Sequence, residues 1–147
     1  MSNQRLRTRQ VKPYRVIVAE DNRVLQDVIR FNLARAGFEV RTAVEGAQAL
    51  RLLEEQPADV LVTDCQMPGM SGLELCAAIR SHAIYSNLPI LFCSAKGLEI
   101  EPETLEKLRL PEVLCKPFSP RSLVEKVLAL AESRSESAPS TVTELVH

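Results

Sequence analysis

At 147 residues and 16.4 kDa the chain has room for one compact domain and not for two ordinary ones. With 46% apolar and 25% charged residues it has the balance of a soluble globular protein, which excludes wholesale disorder. The formal net charge of −1 is unevenly spread: Arg5, Arg7, Arg9 and Lys12 stand without an acid in residues 1–12, while the body over 13–132 has an excess of acids and so no electrostatic footprint for nucleic acid.

The basic arm over residues 1–12 is expected to be solvated and flexible. No apolar core follows it, so no secretory signal is read there. The apolar runs, Val16-Ile17-Val18-Ala19 among the longest, are too short to span a bilayer, and a cytoplasmic location is expected. Cys65, Cys76, Cys93 and Cys115 form no CxxC pair, and only His82 and His147 are at hand to complete a metal site. They read as four free thiols in small apolar roles, not as a zinc or redox centre.

Along the chain, short apolar runs rich in β-formers alternate with helical patterns. The first run, Arg15–Ala19, precedes a stripe of Leu25, Val28, Ile29, Leu33 and Ala36 at helical spacing, stopped by Gly37. Glu39–Thr42 precedes Ala47, Leu50 and Leu53, a pattern ended by Pro57. Asp59–Thr63 precedes Ser71-Gly72-Leu73-Glu74, which reads as a capping box opening a third helix through Cys76 and Ile79. Pro89–Cys93 precedes a weaker helix from Pro102 with Leu105 and Leu108. Glu112–Cys115 precedes Ser119-Pro120, an N-cap and N1 proline, and a fifth helix carrying Leu123, Val127 and Leu130. Residues 133–147, rich in Ser, Thr and Glu with one Pro, read as a flexible tail.

Five β-α repeats require a parallel sheet with right-handed crossovers and helices on both faces: a doubly wound α/β domain over 13–132. The first, third and fourth runs are nearly all apolar, as strands covered on both faces should be. Ligands of such a sheet sit beyond the carboxyl ends of its strands, where strand order reverses. At those ends the sequence places Glu20 and Asp21, Asp64, Ser94 and Lys116.

Taken singly, each has an ordinary explanation. Glu20 and Asp21 suit the positive end of the first helix, Asp64 suits a turn before Met67-Pro68-Gly69, and Lys116 and Ser94 suit a solvated loop. Gathered at one edge they have none, because clustered carboxylates raise one another's pKa and destabilise the fold. A hard cation resolves the conflict, and Mg²⁺ takes one or two carboxylates together with water and phosphate oxygens. A carboxylate is a nucleophile toward a phosphoryl group, giving an aspartyl phosphate, while an ammonium and a hydroxyl can hold the phosphoryl oxygens.

These residues resemble the receiver domain of two-component response regulators. The resemblance rests on Ala19-Glu20-Asp21-Asn22, on Thr63-Asp64-Cys65-Gln66-Met67-Pro68-Gly69-Met70-Ser71-Gly72, on Ser94-Ala95 and on Lys116-Pro117-Phe118, in order over roughly residues 13–132. It implies a flavodoxin-like (βα)5 fold with strand order 2-1-3-4-5. It implies Asp64 as phosphoacceptor and Mg²⁺ held by Glu20, Asp21, Asp64 and the backbone carbonyl of Gln66. Lys116, joined to Pro117 by a cis bond, would contact the phosphoryl group, and Ser94 would move toward it, biasing a surface of helix four, strand five and helix five. Gln66 and Lys96 would tune the lifetime of the adduct.

The donor would be a phosphohistidine on a sensor kinase or phosphotransfer protein. Catalysis would extend at most to self-phosphorylation, also from small donors, and autodephosphorylation. With no DNA-binding module after the fifth helix, output is expected through an unknown protein partner, and a homodimer through the helix 4–strand 5–helix 5 surface is compatible with the resemblance.

Two positions depart from the family pattern: Val113 stands where a switch aromatic is common, and Glu20 where the first acid is more often Asp. Val113 keeps open an alternative, a receiver-like interaction module that works without phosphorylation. A haloacid-dehalogenase-type phosphohydrolase would want an acid where this chain has Gln66, and a flavodoxin-like flavin site would not place acids at the first strand–helix turn.

Overall fold

In a computed structural model, residues 13–95, 100–110 and 112–145 are described, with the side chains of Glu112 and of residues 135–145 left aside. The basic arm over residues 1–12 and the position of Lys96 lie outside the described residues. The elements in chain order are β1 (Arg15–Ala19), α1 (Arg23–Arg35), β2 (Glu39–Ala43), α2 (Gly46–Glu55), β3 (Val60–Asp64), α3 (Gly72–Arg80), β4 (Ile90–Ser94), α4 (Pro102–Lys107), β5 (Glu112–Cys115) and α5 (Pro120–Leu145). All four strand pairings are parallel and the order is β2-β1-β3-β4-β5.

The two faces of the sheet carry separate cores because alternate side chains of each strand point to opposite sides. Ile17, Leu61, Ile90 and Phe92 pack with Leu53 of α2 and with Leu75 and Ile79 of α3. Val16, Val18, Val60, Val62, Leu91 and Leu114 pack with Ile29 and Leu33 of α1 and with Leu123 and Val127 of α5. β3 and β4 are buried at every position, whereas the edge strand β2 is buried only at Ala43. This matches the continuous apolar character of the central runs.

Local chemistry sets the helix ends. Asn22 caps α1 by accepting from the Leu25 N–H at 3.0 Å, and Ser71 and Glu74 close a reciprocal capping box on α3. α2 ends without a glycine; instead the Arg41 guanidinium of β2 donates to the Leu52 carbonyl in its last turn and to the Gln56 and Pro57 carbonyls just past its end. Arg80, the last residue of α3, donates to the carbonyls of Leu88 before β4 and of Leu108 and Arg109 after α4, and so ties two loops to one helix end.

Three expectations are corrected. Val28 and Ala36 do not face the core: the buried side of α1 is Gln26, Ile29 and Leu33, which turns Val24, Val28 and Phe31 to solvent. Cys76 and Cys93 are buried and Cys65 half-buried, as apolar thiols should be, but Cys115 is exposed on the edge strand β5. Finally, α5 continues to Leu145, past residue 133, where a flexible tail was expected to begin. Arg134 accounts for the first part of that extension, since its guanidinium binds the Ala58 carbonyl at 2.5 Å and lies 4.0 Å from Asp59. Composition alone does not reveal such a tertiary anchor. Among the described residues no helix is long and apolar enough to cross a membrane.

Candidate phosphoacceptor site

Strand order reverses between β1 and β3, which run side by side with Ala19 opposite Thr63. The residues leaving the sheet at that crevice are Glu20 and Asp21 from β1 and Asp64 from β3. Each contributes a carboxylate oxygen to a group whose members lie within 4.8 Å of one another. Glu20 and Asp64 are buried and Asp21 is exposed at the mouth. The N-cap residue of α1 is Asn22, so neither Glu20 nor Asp21 fills that position.

Lys116, one residue past β5, reaches across β4 to this group. Its Nζ lies 2.6 Å from Asp64 Oδ1 and 3.3 Å from Glu20 Oε1. The path is set by the Lys116 N–H donating to the Ser94 carbonyl at 2.8 Å, with the Lys116–Pro117 bond cis. Ser94 is buried at the end of β4, and its hydroxyl donates to the Ala95 carbonyl at 3.2 Å, not to the carboxylates. Gln66 is exposed in the loop after β3. The three acids and the lysine gather at this edge, Ser94 stands at the end of β4 with its hydroxyl on the Ala95 carbonyl, and Gln66 follows Asp64 by two residues. An apolar cavity of about 450 Å³ beside the site is lined by Leu25, Ala95, Lys116, Pro117 and Phe118.

Charge in the pocket is only partly balanced. Burial pushes Glu20 above the ordinary carboxylate range; the Asn22 N–H at 3.0 Å opposes this, the charge of Asp64 adds to it, and Lys116 offsets part. For Lys116 burial acts downward, but the hydrogen bond to Asp64 and the charges of Glu20 and Asp64 outweigh it and hold the ammonium above its usual value. Burial also pushes the thiol of Cys93, which packs in the core with Val18 and Val62, up to about 12, so it is inert.

A carboxyl whose folded pKa is raised binds its proton more tightly in the native state, so metal-free stability falls as pH rises from the ordinary value of 4.5 through the folded one. The Lys116 contribution is intact throughout that window and is lost only in alkali. Glu20→Gln is therefore expected to melt higher than wild type in chelator at pH 8, with the gap closing near pH 4. A gap independent of pH, followed by thermal denaturation across that range, would contradict the assignment.

Two residues that bear on the site were not visible as such in the sequence. Gln26 is buried and its amide donates to the carbonyls of Glu20 and Ala43. Its only signal is a polar residue at helical spacing from Ile29 and Leu33, on the face that proves to be buried. Gly72 is the other: the backbone of α3 passes so close to the end of β3 that an added Cβ would collide with the Asp64 carbonyl oxygen.

Comparison with known proteins agrees with this geometry. The family model for the response regulator receiver domain matches residues 16–128. The phosphate regulon transcriptional regulatory protein PhoB of Rhizobium meliloti is 34% identical over 128 residues, covering 87% of this chain and 56% of that protein. The chain spans about half the length of the curated relatives it matches. Among solved structures, the chemotaxis response regulator CheY4 of Vibrio cholerae is 29% identical with a TM-score of 0.73, covering 81% of this chain and 99% of that one. The receiver domain of a sensor histidine kinase from Pseudomonas aeruginosa, solved with a magnesium ion in its active-site cleft, is 28% identical with a TM-score of 0.73, covering 82% and 98%.

Proposed function

The chain belongs to the response regulator receiver domain family of two-component systems, and from that premise we propose that it is a cytoplasmic phosphoacceptor. Asp64 takes a phosphoryl group from a phosphohistidine on a sensor kinase or phosphotransfer protein. The observation that carries this reading is the convergence of three carboxylates and one ammonium at the strand-order reversal. Packing has no use for that arrangement, and phosphoryl transfer uses every member.

Glu20, Asp21 and Asp64, with the Gln66 carbonyl, would hold Mg²⁺; three carboxylate oxygens within 4.8 Å, two of them buried, fit a small oxygen-seeking dication. The chemistry Mg²⁺ supplies when bound is neutralisation of the charge that arrives with the phosphoryl oxygens. An Asp64 carboxylate oxygen attacks phosphorus, an O–P bond forms as the P–N bond breaks, and the departing imidazole nitrogen takes up a proton. Lys116 then exchanges part of its contact with Asp64 for a phosphoryl oxygen. Ser94 then leaves the Ala95 carbonyl to donate to another phosphoryl oxygen.

The shift of Ser94 biases the surface of α4, β5 and α5, through which the protein signals to a protein partner or pairs with a second copy. Val113 packs partly buried against the core on β5 and, being a valine, offers no aromatic ring to swing, so the change at this surface does not pass through a ring at that position.

Beryllofluoride, a phosphoryl mimic, tests the reading without a donor. With Mg²⁺ it is expected to raise the melting temperature of wild type by several degrees and to leave Asp64→Asn unchanged. An equal rise in both proteins would place the bound anion elsewhere and overturn the assignment.

A further inference from the structure

The acids at the end of β1 do not hold themselves in place. Gln26 lies one turn into α1, and its side-chain nitrogen is 3.0 Å from the Glu20 carbonyl and 3.0 Å from the Ala43 carbonyl. Two acceptors fix the amide orientation, because the opposite flip would set its oxygen against two carbonyl oxygens. The Ala43 carbonyl also accepts the Glu20 N–H at 2.9 Å. Gln26 therefore extends the β1–β2 ladder by one rung at the residue where Glu20 leaves the sheet.

A glutamine is costly in this position. It is 6% exposed on the same helix face as Ile29 and Leu33, where an apolar side chain would pack without needing hydrogen bonds. What its two bonds define is the peptide plane between Glu20 and Asp21. That plane sets the direction in which the Asp21 carboxylate leaves the chain relative to that of Glu20. From the other side, Asn22 N–H fixes Glu20 Oε2 and Lys116 fixes Oε1. Resting on the reading of Glu20, Asp21 and Asp64 as a cation site, we propose that Gln26 is a positioning residue that presets the angle between the first two acids and so the affinity for the divalent ion.

The prediction concerns cation affinity beyond stability. Gln26→Met keeps the volume and removes both donors. Residues that orient metal ligands through hydrogen bonds typically change affinity by 10- to 100-fold. Mn²⁺ titrated into the full chain and followed by the free-ion electron paramagnetic resonance signal is expected to bind Gln26→Met about tenfold more weakly than wild type. Ile29→Val, which perturbs the same helix face with no loss of hydrogen bonds, should bind within twofold of wild type. A second measurement needs no variant: in wild-type protein the Gln26 side-chain amide protons should exchange far more slowly than those of exposed Gln56, and should shift when Mg²⁺ is added.

Unchanged Mn²⁺ affinity in Gln26→Met, equal weakening in Ile29→Val, or Gln26 amide protons that exchange like those of Gln56 would each overturn the proposal while leaving the phosphoacceptor reading in place. Failure of wild type to bind Mn²⁺ at all would instead remove the cation site, and the proposal with it.

Discussion

Lys116→Met is expected to slow phosphorylation of Asp64 by acetyl phosphate about a hundredfold and to lower metal-free stability by about 2 kcal/mol. Both effects come from one ammonium. Its Nζ touches Asp64 at 2.6 Å and Glu20 at 3.3 Å, and those carboxylates are only 9% and 3% exposed. Removing it leaves two buried acids facing each other with no compensating charge. Breaking a buried pair costs about 3–5 kcal/mol when both partners are enclosed. The lysine side chain is 25% exposed, so the cost here falls below that range, to about 2 kcal/mol. The kinetic effect has a different origin: charge grows on the phosphoryl oxygens during transfer, and the ammonium is already positioned to meet it. Mg²⁺ should recover much of the lost stability, because it neutralises the same carboxylates, and much less of the lost rate. A variant that phosphorylates within twofold of wild type would show that Lys116 is only a counter-ion.

Gly72→Ala should be the most damaging single methyl on this face of the molecule. α3 begins against the end of β3, with the Gly72 N–H donating to the Cys65 carbonyl at 2.7 Å. A Cβ there would overlap the Asp64 carbonyl oxygen and sit 3.0 Å from both the Asp64 carbonyl carbon and Cys65 Cα. These are backbone atoms of the last residue of a strand buried at every position and of the residue after it, so they cannot rotate away. Overpacking of this kind costs about 3 kcal/mol, or roughly 10 °C in melting temperature for a domain of this size. The displaced atoms belong to the phosphoacceptor itself, so phosphorylation should slow in the protein that remains folded. Gly46→Ala is the matched comparison. Its Cβ would meet only side-chain atoms of Met70, Sδ at 2.9 Å and Cβ and Cγ at 3.0 Å, and no backbone, so the change should cost clearly less than Gly72→Ala. Urea denaturation of the two variants separates backbone collision from side-chain crowding; equal losses would contradict the close approach of α3 to β3.

Why some of this was legible in the sequence follows from the kind of interaction involved. Strands announce themselves through local composition. Arg15–Ala19 and Glu112–Cys115 are bounded by sequence as they are by structure, and the other three strands differ by no more than one residue at either end. The acids and the lysine were legible for a different reason. Parallel topology forces the residues after each strand to one edge, so placing the strands placed the site. Burial on a helix was less legible, because apolar residues cover more than one face of α1: Val24, Val28 and Phe31 line up as well as Ile29 and Leu33 do. Only the position of α1 on the sheet decides between the faces, and it chooses the one with Gln26. The same limit hid Arg41, Arg80 and Arg134, whose guanidinium groups cap carbonyls far away in sequence. Long-range caps leave no periodic trace. Ser94 was placed correctly on its strand, but a rotamer is set by neighbours, and its hydroxyl faces the Ala95 carbonyl.

The central claim is that Asp64 accepts a phosphoryl group in a reaction supported by Glu20, Asp21, Lys116 and a divalent cation. Intact-mass spectrometry after incubation with acetyl phosphate addresses it directly, in wild type and Asp64→Asn, with Mg²⁺ and with chelator. The account predicts a single adduct of phosphoryl mass in wild type with Mg²⁺, and none in chelator or in the variant. An adduct of equal yield in Asp64→Asn, or one indifferent to Mg²⁺, would contradict it.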